Sequence, residues 1–196
     1  MRNVSSKILL CFTVAVLLFP SISCGARYDF RARGFDVYTN DLAVQKAHVE
    51  RIIDVTVEEI AKAAPEYKEK RMRRVLREWR GEHDLTWHKN KFTCGASETG
   101  TCYGSHQVGF IDVVYEPCLA YTSLGHELIH FFNMTVADVS DGKHNDERFF
   151  DLACRQHYAL NSPEQMTCRL ATVETNVAYR VMKEICPNGY KTEEAK

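Results

Sequence analysis

Residues 107–132 read QVGFIDVVYEPCLAYTSLGHELIHFF, and this stretch decides the fold. Residues 107–115 are rich in β-branched and aromatic side chains, which is typical of a β-strand. Pro117 follows at a position where a helix can begin, because the first turn of a helix does not need the N–H that proline lacks. The stretch therefore predicts a strand that leads into an apolar helix, as in an α+β protein.

The predicted helix carries the pattern His-Glu-Leu-Ile-His at residues 126–130. His126 and His130 are four residues apart, so both imidazoles project from one helix face and can hold one metal ion. Glu127 stands beside the first histidine, in the position of a general base for the water that a hydrolytic zinc site activates. The pattern predicts Zn²⁺ as cofactor, with Glu127 as the catalytic residue.

A catalytic zinc site needs a third protein ligand, and His144 is the leading candidate. Polar and small residues in the segment 131–143 allow the helix to end and the chain to turn back over the metal. A further helix is then predicted from about residue 145 to 159. The sequence leaves three competing ligands open, which are Glu174, Glu147 and His157.

In these residues the chain resembles the SprT-like and related minimal gluzincin metallopeptidases. The motif HELIHFF is followed, after thirteen residues between His130 and His144, by HNDERFF. The resemblance covers about residues 110–154. It implies a zincin-like fold, zinc held by His126, His130 and His144, and an extended peptide substrate paired with the strand before the motif helix. The chain departs from the family in having Asn145 where a glycine is usual.

The N-terminus has the pattern of an export signal, in which Arg2 and Lys7 precede the apolar run 8–20. Cleavage is predicted after residue 23 or residue 26, which makes the protein secreted or periplasmic. Cys24 is either removed with the signal or lipidated as the first residue of a bacterial lipoprotein, and such an anchor is the one membrane contact that the sequence predicts.

Six cysteines follow the signal, and an oxidising compartment favours three disulfide bonds among them. These cysteines are Cys94, Cys102, Cys118, Cys154, Cys168 and Cys186. The favoured pairing joins Cys94 to Cys102 across a turn-rich segment. No C-x-x-C pair occurs among the six, so a cysteine-based structural zinc site is not expected.

The rest of the chain predicts one domain over residues 27–190, followed by a polar tail at 191–196. Apolar residues at helical spacing predict two N-terminal helices, over 42–64 and 66–80, separated by Pro65. A C-terminal helix with Val173, Val177, Val181 and Ile185 on its apolar side extends to about residue 186. The predicted fold combines these helices with a small, mostly antiparallel sheet and disulfide bonds.

The charge balance of 25 basic and 26 acidic residues, a net charge of -1, disfavours a nucleic-acid partner. The expected function is therefore an exported zinc metallopeptidase acting on a peptide or protein substrate. Two alternatives stay open: a disulfide-rich binding protein with an inert metal site, and a zinc hydrolase of a cell-wall amide. The oligomeric state is not predicted.

Several further residues are candidates for supporting roles at such a site. Donors to the tetrahedral oxyanion could come from Tyr115, His157, Tyr158 or Tyr179. Partners for the N–H groups of the ligand histidines could come from Asp146, Asp151 or Glu174. The isolated histidines are expected at the surface or in loops, and these are His48, His83, His88 and His106.

Overall fold

The described part of the chain in the computed structural model covers residues 27–79, 81–93, 101–107, 109–115, 119–139, 144–150 and 172–185. The predicted export signal and the tail at 191–196 lie outside these ranges. No helix within these ranges is long and apolar enough to cross a membrane. The strands are β1 (Phe30–Ala32), β2 (Phe35–Tyr38), β3 (Asp84–His88), β4 (Phe92–Thr93), β5 (Thr101–Cys102), β6 (Gly104–Gln107) and β7 (Phe110–Val114). The helices are α1 (Lys46–Ala63), α2 (Glu69–Glu78), α3 (Leu119–Ala137) and α4 (Val173–Ile185).

The two predicted N-terminal helices form as α1 and α2. The apolar stripe of α1 is buried, and it includes Val49, Ile52, Ile53, Val57 and Ile60. Pro65 ends the first helical segment as expected and begins a single 3₁₀ turn, Pro65–Tyr67, before α2. The α+β class is confirmed by these helices together with the sheet.

The main sheet has five strands in the order β1-β2-β3-β7-β6. β1 pairs antiparallel with β2, and β6 pairs antiparallel with β7. In the centre, β2 and β3 are parallel, and so are β3 and β7. The prediction of a mostly antiparallel sheet is therefore wrong, because the sheet is mixed. The helical crossover through α1 and α2 returns the chain to the end of the sheet where β2 began, which makes β3 parallel to β2.

The helices cover one face of this sheet. In β3 and β7 burial alternates, and Leu85, Trp87, Ile111 and Val113 are almost completely buried on the helix side. α3 packs against β6 and β7, while α1 packs against both α3 and α4. The motif helix is thus held between the sheet and two other helices, which fixes the direction of its side chains.

The segment 30–38, which precedes the first helix, is part of the sheet. It forms the β1–β2 hairpin, and Ala32, Phe35 and Val37 from this hairpin are buried in the core. The apolar residues of the segment alternate with polar ones, as an edge hairpin with one buried face requires.

The C-terminal prediction is confirmed for α4, where Val173, Val177 and Val181 are buried and Ile185 packs against the core. The helix predicted from about residue 145 does not begin there. Residues 144–150 form a loop with one turn, and the remainder of that predicted helix lies outside the described residues.

One cysteine of the predicted disulfide framework is described. Cys102, in β5, is disulfide-bonded. Its partner and the other cysteines lie outside the described residues, so the pairing of Cys94 with Cys102 and the count of three bonds stay predictions. Cys102 pairs with Phe92 in the two-stranded sheet formed by β4 and β5.

His83 lies in the loop before β3, which agrees with the prediction of a surface or loop residue, but it is buried and not at the surface. Its ring stacks on Trp79 at 5.0 Å between centroids and meets Phe131 edge-on at 4.8 Å. Neither ring nitrogen has a hydrogen-bond partner among the described residues, and burial lowers the pKa of the imidazole below its usual value. His83 is therefore neutral in the folded protein at neutral pH.

The burial of neutral His83 predicts a loss of stability in acid. Its folded pKa is depressed, so its favourable contribution is present above the unfolded pKa of about 6.5 and is lost as pH falls towards the folded pKa. Relative to His83→Phe, the wild-type free energy of unfolding should fall by up to about 1.4 kcal/mol per pH unit in that window. Urea unfolding of both proteins from pH 7.5 to 5.0 measures this, and parallel pH profiles would contradict it.

Candidate metal centre

The motif helix α3 places its two histidines as the sequence predicts. Four residues correspond to about one turn of an α-helix, so His126 and His130 lie on the same face. Their Nε2 atoms are 3.1 Å apart and their ring centroids 4.8 Å apart. His130 is buried and His126 is half-buried. The helix thus supplies two nitrogens aimed at one point.

The end of α3 allows the chain to turn back towards these histidines. α3 ends at Ala137, Asp138 adopts a left-handed conformation, and the Val139 N–H donates to the Asn133 carbonyl at 3.1 Å. A left-handed residue followed by a hydrogen bond back to the last turns is a common way for a helix to end. Polar residues after the motif therefore end the helix as expected.

His144 completes the cluster from the loop 144–150. Its Nε2 lies 3.1 Å from Nε2 of His126 and 2.9 Å from Nε2 of His130. The backbone of His144 has a positive φ of 55°, a conformation that histidine adopts more readily than bulky residues. The predicted third candidate is therefore brought to the same point as the two histidines of the helix.

The loop that carries His144 is fixed to the rest of the fold by its backbone. The N–H groups of Val173 and Glu174, at the start of α4, donate to the carbonyls of Arg148 and Phe149 at 2.9 and 3.0 Å. The Phe150 ring lies against all three histidine rings, with centroid distances of 4.6 to 5.3 Å. These contacts hold the loop against the start of α4 and against the histidine cluster.

The three convergent nitrogens are close enough to bind one metal ion. Three Nε2 atoms within about 3 Å of one another cannot all be joined by hydrogen bonds. Each Nε2 carries at most one hydrogen, and that N–H can point at only one of the other two nitrogens. A tetrahedral metal with ligand distances of about 2.0–2.1 Å would separate its nitrogens by about 3.3 Å. The observed 2.9 to 3.1 Å lies within a few tenths of that value.

Glu174 lies behind this cluster instead of within it. Its Oε1 is 2.5 Å from Nδ1 of His126, and the side chain is buried. A hydrogen bond from Nδ1–H to a carboxylate leaves the Nε2 lone pair free for a metal, which is the usual arrangement behind metal-binding histidines. Glu174 therefore does not face solvent. The position matches the predicted supporting role and not that of a third ligand.

The second carboxylate oxygen of Glu174 is evidence that the histidine cluster is suited to a cation. Oε2 is buried and has no hydrogen-bond partner in the described part of the chain, so the carboxylate is only partly compensated there. Leaving a buried charge without compensation is costly. A divalent ion held by three neutral imidazoles would balance this carboxylate, so the residues present fit a metal.

Glu127 is buried between α3 and the edge strand β6. If Gly104 of β6 carried a Cβ, that atom would lie 2.5 Å from Oε1 and 2.9 Å from Cγ of Glu127. The absence of a side chain at residue 104 is therefore what gives the Glu127 carboxylate its place. The sequence did not indicate this role, since 23 residues separate the two positions and only the sheet brings them together.

The other histidines are not all surface or loop residues. His106, on β6, stacks roughly parallel to His130 with centroids 6.3 Å apart, so it borders the cluster. His88, on β3, is 2.6 Å from Asp112 of β7 through its Nε2. Both are half-buried strand residues. The distance in sequence between His106 and the helix motif did not predict this contact. The pairing of β6 with β7 places His106 beside the cluster.

Of the four proposed oxyanion donors, two are described, and neither is oriented for that role. The Tyr115 hydroxyl donates to the Ala43 carbonyl at 3.3 Å. Tyr179 is exposed on α4, and five residues after Glu174 correspond to a rotation of about 140° away from it. His157 and Tyr158 lie outside the described residues, as does Asp151.

The remaining predicted site residues lie near the cluster. Asp146 accepts hydrogen bonds from the main chain and the guanidinium of Arg148, at 3.0 and 2.8 Å. Glu147 is exposed in the same loop and is not part of the histidine cluster. In the described part of the chain, the cluster that could hold a metal consists of His126, His130 and His144.

Comparisons with protein-family models, with curated proteins and with solved structures find no match to this chain.

Proposed function

We propose that the protein is an exported zinc-dependent metallopeptidase that hydrolyses peptide bonds. Zinc would be held by His126, His130 and His144, and Glu127 would act as general base. One observation carries the proposal: two histidines of the helix turn that also carries a buried glutamate, and His144 from the loop 144–150, bring three imidazole nitrogens to within 2.9 to 3.1 Å of one another.

The donor set favours zinc in a catalytic coordination. Three neutral imidazoles are a common ligand set for catalytic zinc, with the fourth position open to solvent or substrate. No fourth histidine, cysteine, aspartate or glutamate joins the cluster among the residues that the structure describes. Glu174 would orient His126 and strengthen it as a ligand through the 2.5 Å hydrogen bond.

The chemistry of the site divides between the metal and Glu127. Zinc, when bound, supplies a Lewis acid that polarises a carbonyl and lowers the pKa of a coordinated water to about 7. Glu127 takes the proton from the attacking water and returns it to the amine that leaves. Its burial against Gly104 holds the carboxylate in one place during both transfers.

The substrate would lie along β6. The resemblance implied that the strand before the motif helix pairs with the peptide, but that strand, β7, is already paired on both sides, with β3 and β6. β6 is the edge strand, and it borders the site through Gly104 and His106. Adding a strand to a free sheet edge is a common way to bind an extended peptide.

A zincin-like, disulfide-stabilised fold is part of the same proposal. It is supported by the order of β6, β7 and the motif helix α3, in which a hairpin at the sheet edge is followed by the helix with both histidines. The disulfide bond of Cys102 lies directly before β6 in the chain. Thiol titration of the denatured, unreduced protein should find no free cysteine among the six after the signal.

Substituting Gly104 with alanine should lower hydrolysis without removing the metal. The added methyl would displace the Glu127 carboxylate, and a displacement of about 1 Å at a catalytic group can cost about 100-fold. We expect a loss of about 10–100-fold in kcat/KM with unchanged zinc content. Ser105→Ala is the matched control, because Ser105 lies on the opposite face of β6. Wild-type activity in Gly104→Ala would contradict this role.

Metal analysis and peptide cleavage test the proposal together. The mature, oxidised protein should bind one equivalent of zinc, lose it in the His126→Ala variant, and cleave members of a broad peptide library. Zinc binding without cleavage of any peptide would favour the binding protein with an inert site. Cleavage of cell-wall fragments in place of peptides would favour the amide hydrolase. Failure to bind zinc would overturn both hydrolase hypotheses and leave the binding protein.

A further inference from the structure

A second site candidate is a cationic cleft formed by the β1–β2 turn, the start of α1 and one side of α2. The cleft has a volume of about 400 Å³. Five cationic side chains and a single carboxylate line it, and these are Arg31, Arg33, Lys46, Arg73, Arg77 and Glu50. Four of these cations are paired with carboxylates: Arg31 with Asp36, Arg33 with Asp54, Lys46 with Glu50, and Arg73 with both Asp54 and Glu69. The cleft is therefore rich in fixed N–H donors, and its uncompensated positive charge lies mainly at Arg77.

The cleft is separate from the metal centre. β1 and β6 are the two edge strands of the five-stranded sheet, with three strands between them. The cleft lies at the β1 edge, whereas the metal centre borders β6. An inference about the cleft therefore does not depend on the proposed peptidase activity.

Two of the arginines are held in place by a shared carboxylate. Asp54 of α1 accepts hydrogen bonds from Arg33 at 2.7 Å and from Arg73 at 2.8 Å. Burial raises the pKa of Asp54, but the hydrogen bonds from both arginines outweigh it and the net shift is downward. Asp54 is therefore ionised at neutral pH. Because the guanidinium groups are already fixed, binding a ligand costs them little conformational entropy.

The backbone of the cleft is also fixed. Gly34, in the β1–β2 turn, has φ of 119°, and a Cβ at this position would overlap the Leu76 carbonyl oxygen of α2. The turn therefore sits directly on the α2 backbone. Lys46 is the first residue of α1, where the helix dipole adds positive potential.

The cleft retains donors that no carboxylate uses. Each guanidinium has five N–H groups, and the contacts of Arg33 and Arg73 with carboxylates leave some of them without an acceptor. Arg77 forms no ion pair with any residue in the described ranges, and it is exposed. Leu76 is the one apolar side chain that lines the cleft, so a ligand there is bound mainly by charge and hydrogen bonds.

We propose that this cleft binds the phosphate or sulfate ester group of a polar small molecule, such as a sugar. A tetrahedral oxyanion offers three oxygens and up to two charges, which several guanidinium groups can share. A carboxylate, with two oxygens and one charge, would leave most of the donors unused. The volume of about 400 Å³ leaves room for the organic part of the ester.

Calorimetric titration of the mature protein tests the proposal. Glucose 6-phosphate and glucose 6-sulfate are the two probes, glucose is the uncharged control, and ionic strength is kept constant with NaCl. We expect saturable one-to-one binding of at least one ester and none of glucose. The ratio of the two affinities decides between a phosphate and a sulfate as the natural group.

Variants locate the binding in the cleft. Arg77→Gln removes a cation that makes no described ion pair, so the fold is kept, and it should weaken ester binding about tenfold or more. Arg74→Gln is the matched control, since it makes the same charge change on α2 outside the cleft and should change affinity less than about twofold. The proposal would be overturned if both variants lost ester affinity equally, or if the wild type bound neither ester. It would also be overturned if a polynucleotide bound more tightly than the esters and Arg74→Gln weakened that binding.

Discussion

Replacing Glu127 with glutamine is expected to lower peptide hydrolysis by about 10²–10⁴-fold while zinc content stays near one equivalent. Glutamine has almost the same size, so it fits against Gly104 where the glutamate now lies. It lacks the carboxylate that accepts a proton, so general base catalysis is lost. The measurement is kcat/KM for the best peptide from the library, with zinc determined by mass spectrometry on the same samples.

Glu147→Gln is the matched control for this variant. It makes the same chemical change at an exposed position in the loop 144–150, close to the site but outside the histidine cluster. Its activity should stay within about twofold of wild type, the range expected for a surface change without a role in catalysis. Undiminished hydrolysis by Glu127→Gln would remove Glu127 as the base and the peptidase proposal with it.

Replacing His144 with alanine is expected to abolish zinc binding and hydrolysis together. Two histidines and solvent are a poor zinc site, so affinity should fall by more than the 10–100-fold typical of lost supporting contacts. The fold should survive, because the loop is held by backbone hydrogen bonds from Val173 and Glu174. Zinc titration and the thermal unfolding of the metal-free proteins measure the two effects separately.

Glu174→Gln provides the contrast that identifies the third ligand. It keeps a hydrogen-bonding group beside His126 but removes the negative charge, and zinc affinity should fall by about 10–100-fold. His88→Ala, on the sheet face away from α3, should leave zinc affinity unchanged. If His144→Ala keeps full zinc and Glu174→Gln loses it, the ligand set is His126, His130 and Glu174.

The elements with a regular local pattern were predictable from the sequence. Helices α1, α2 and α4 follow from apolar residues at helical spacing, because burying one side of a helix requires that spacing. Helix α3 follows from Pro117 and the apolar run after it. Pro65 ends the first helical segment, as its missing N–H demands. The alignment of His126 with His130 follows from the helix period alone.

Other features depended on partners that are distant in the chain. The mixed sheet results from the crossover through α1 and α2, and strand direction cannot be read from residue types. The short strand β6 has little apolar character, so no pattern predicted it. Its Gly104 and His106 reach the metal centre only because β6 pairs with β7.

By itself, the sequence determined the chemistry that lies within one helix turn: two imidazoles on a common face with a glutamate beside them. It named His144 and Glu174 as candidates but left their roles open, since spacing along the chain says little about separation across loops. Only the tertiary structure decided which of the two lies beside the histidines of the helix, by anchoring the loop 144–150 to the start of α4. That anchoring brings His144 to the other two histidines and places Glu174 behind His126, because backbone hydrogen bonds between two segments fix where each side chain can reach.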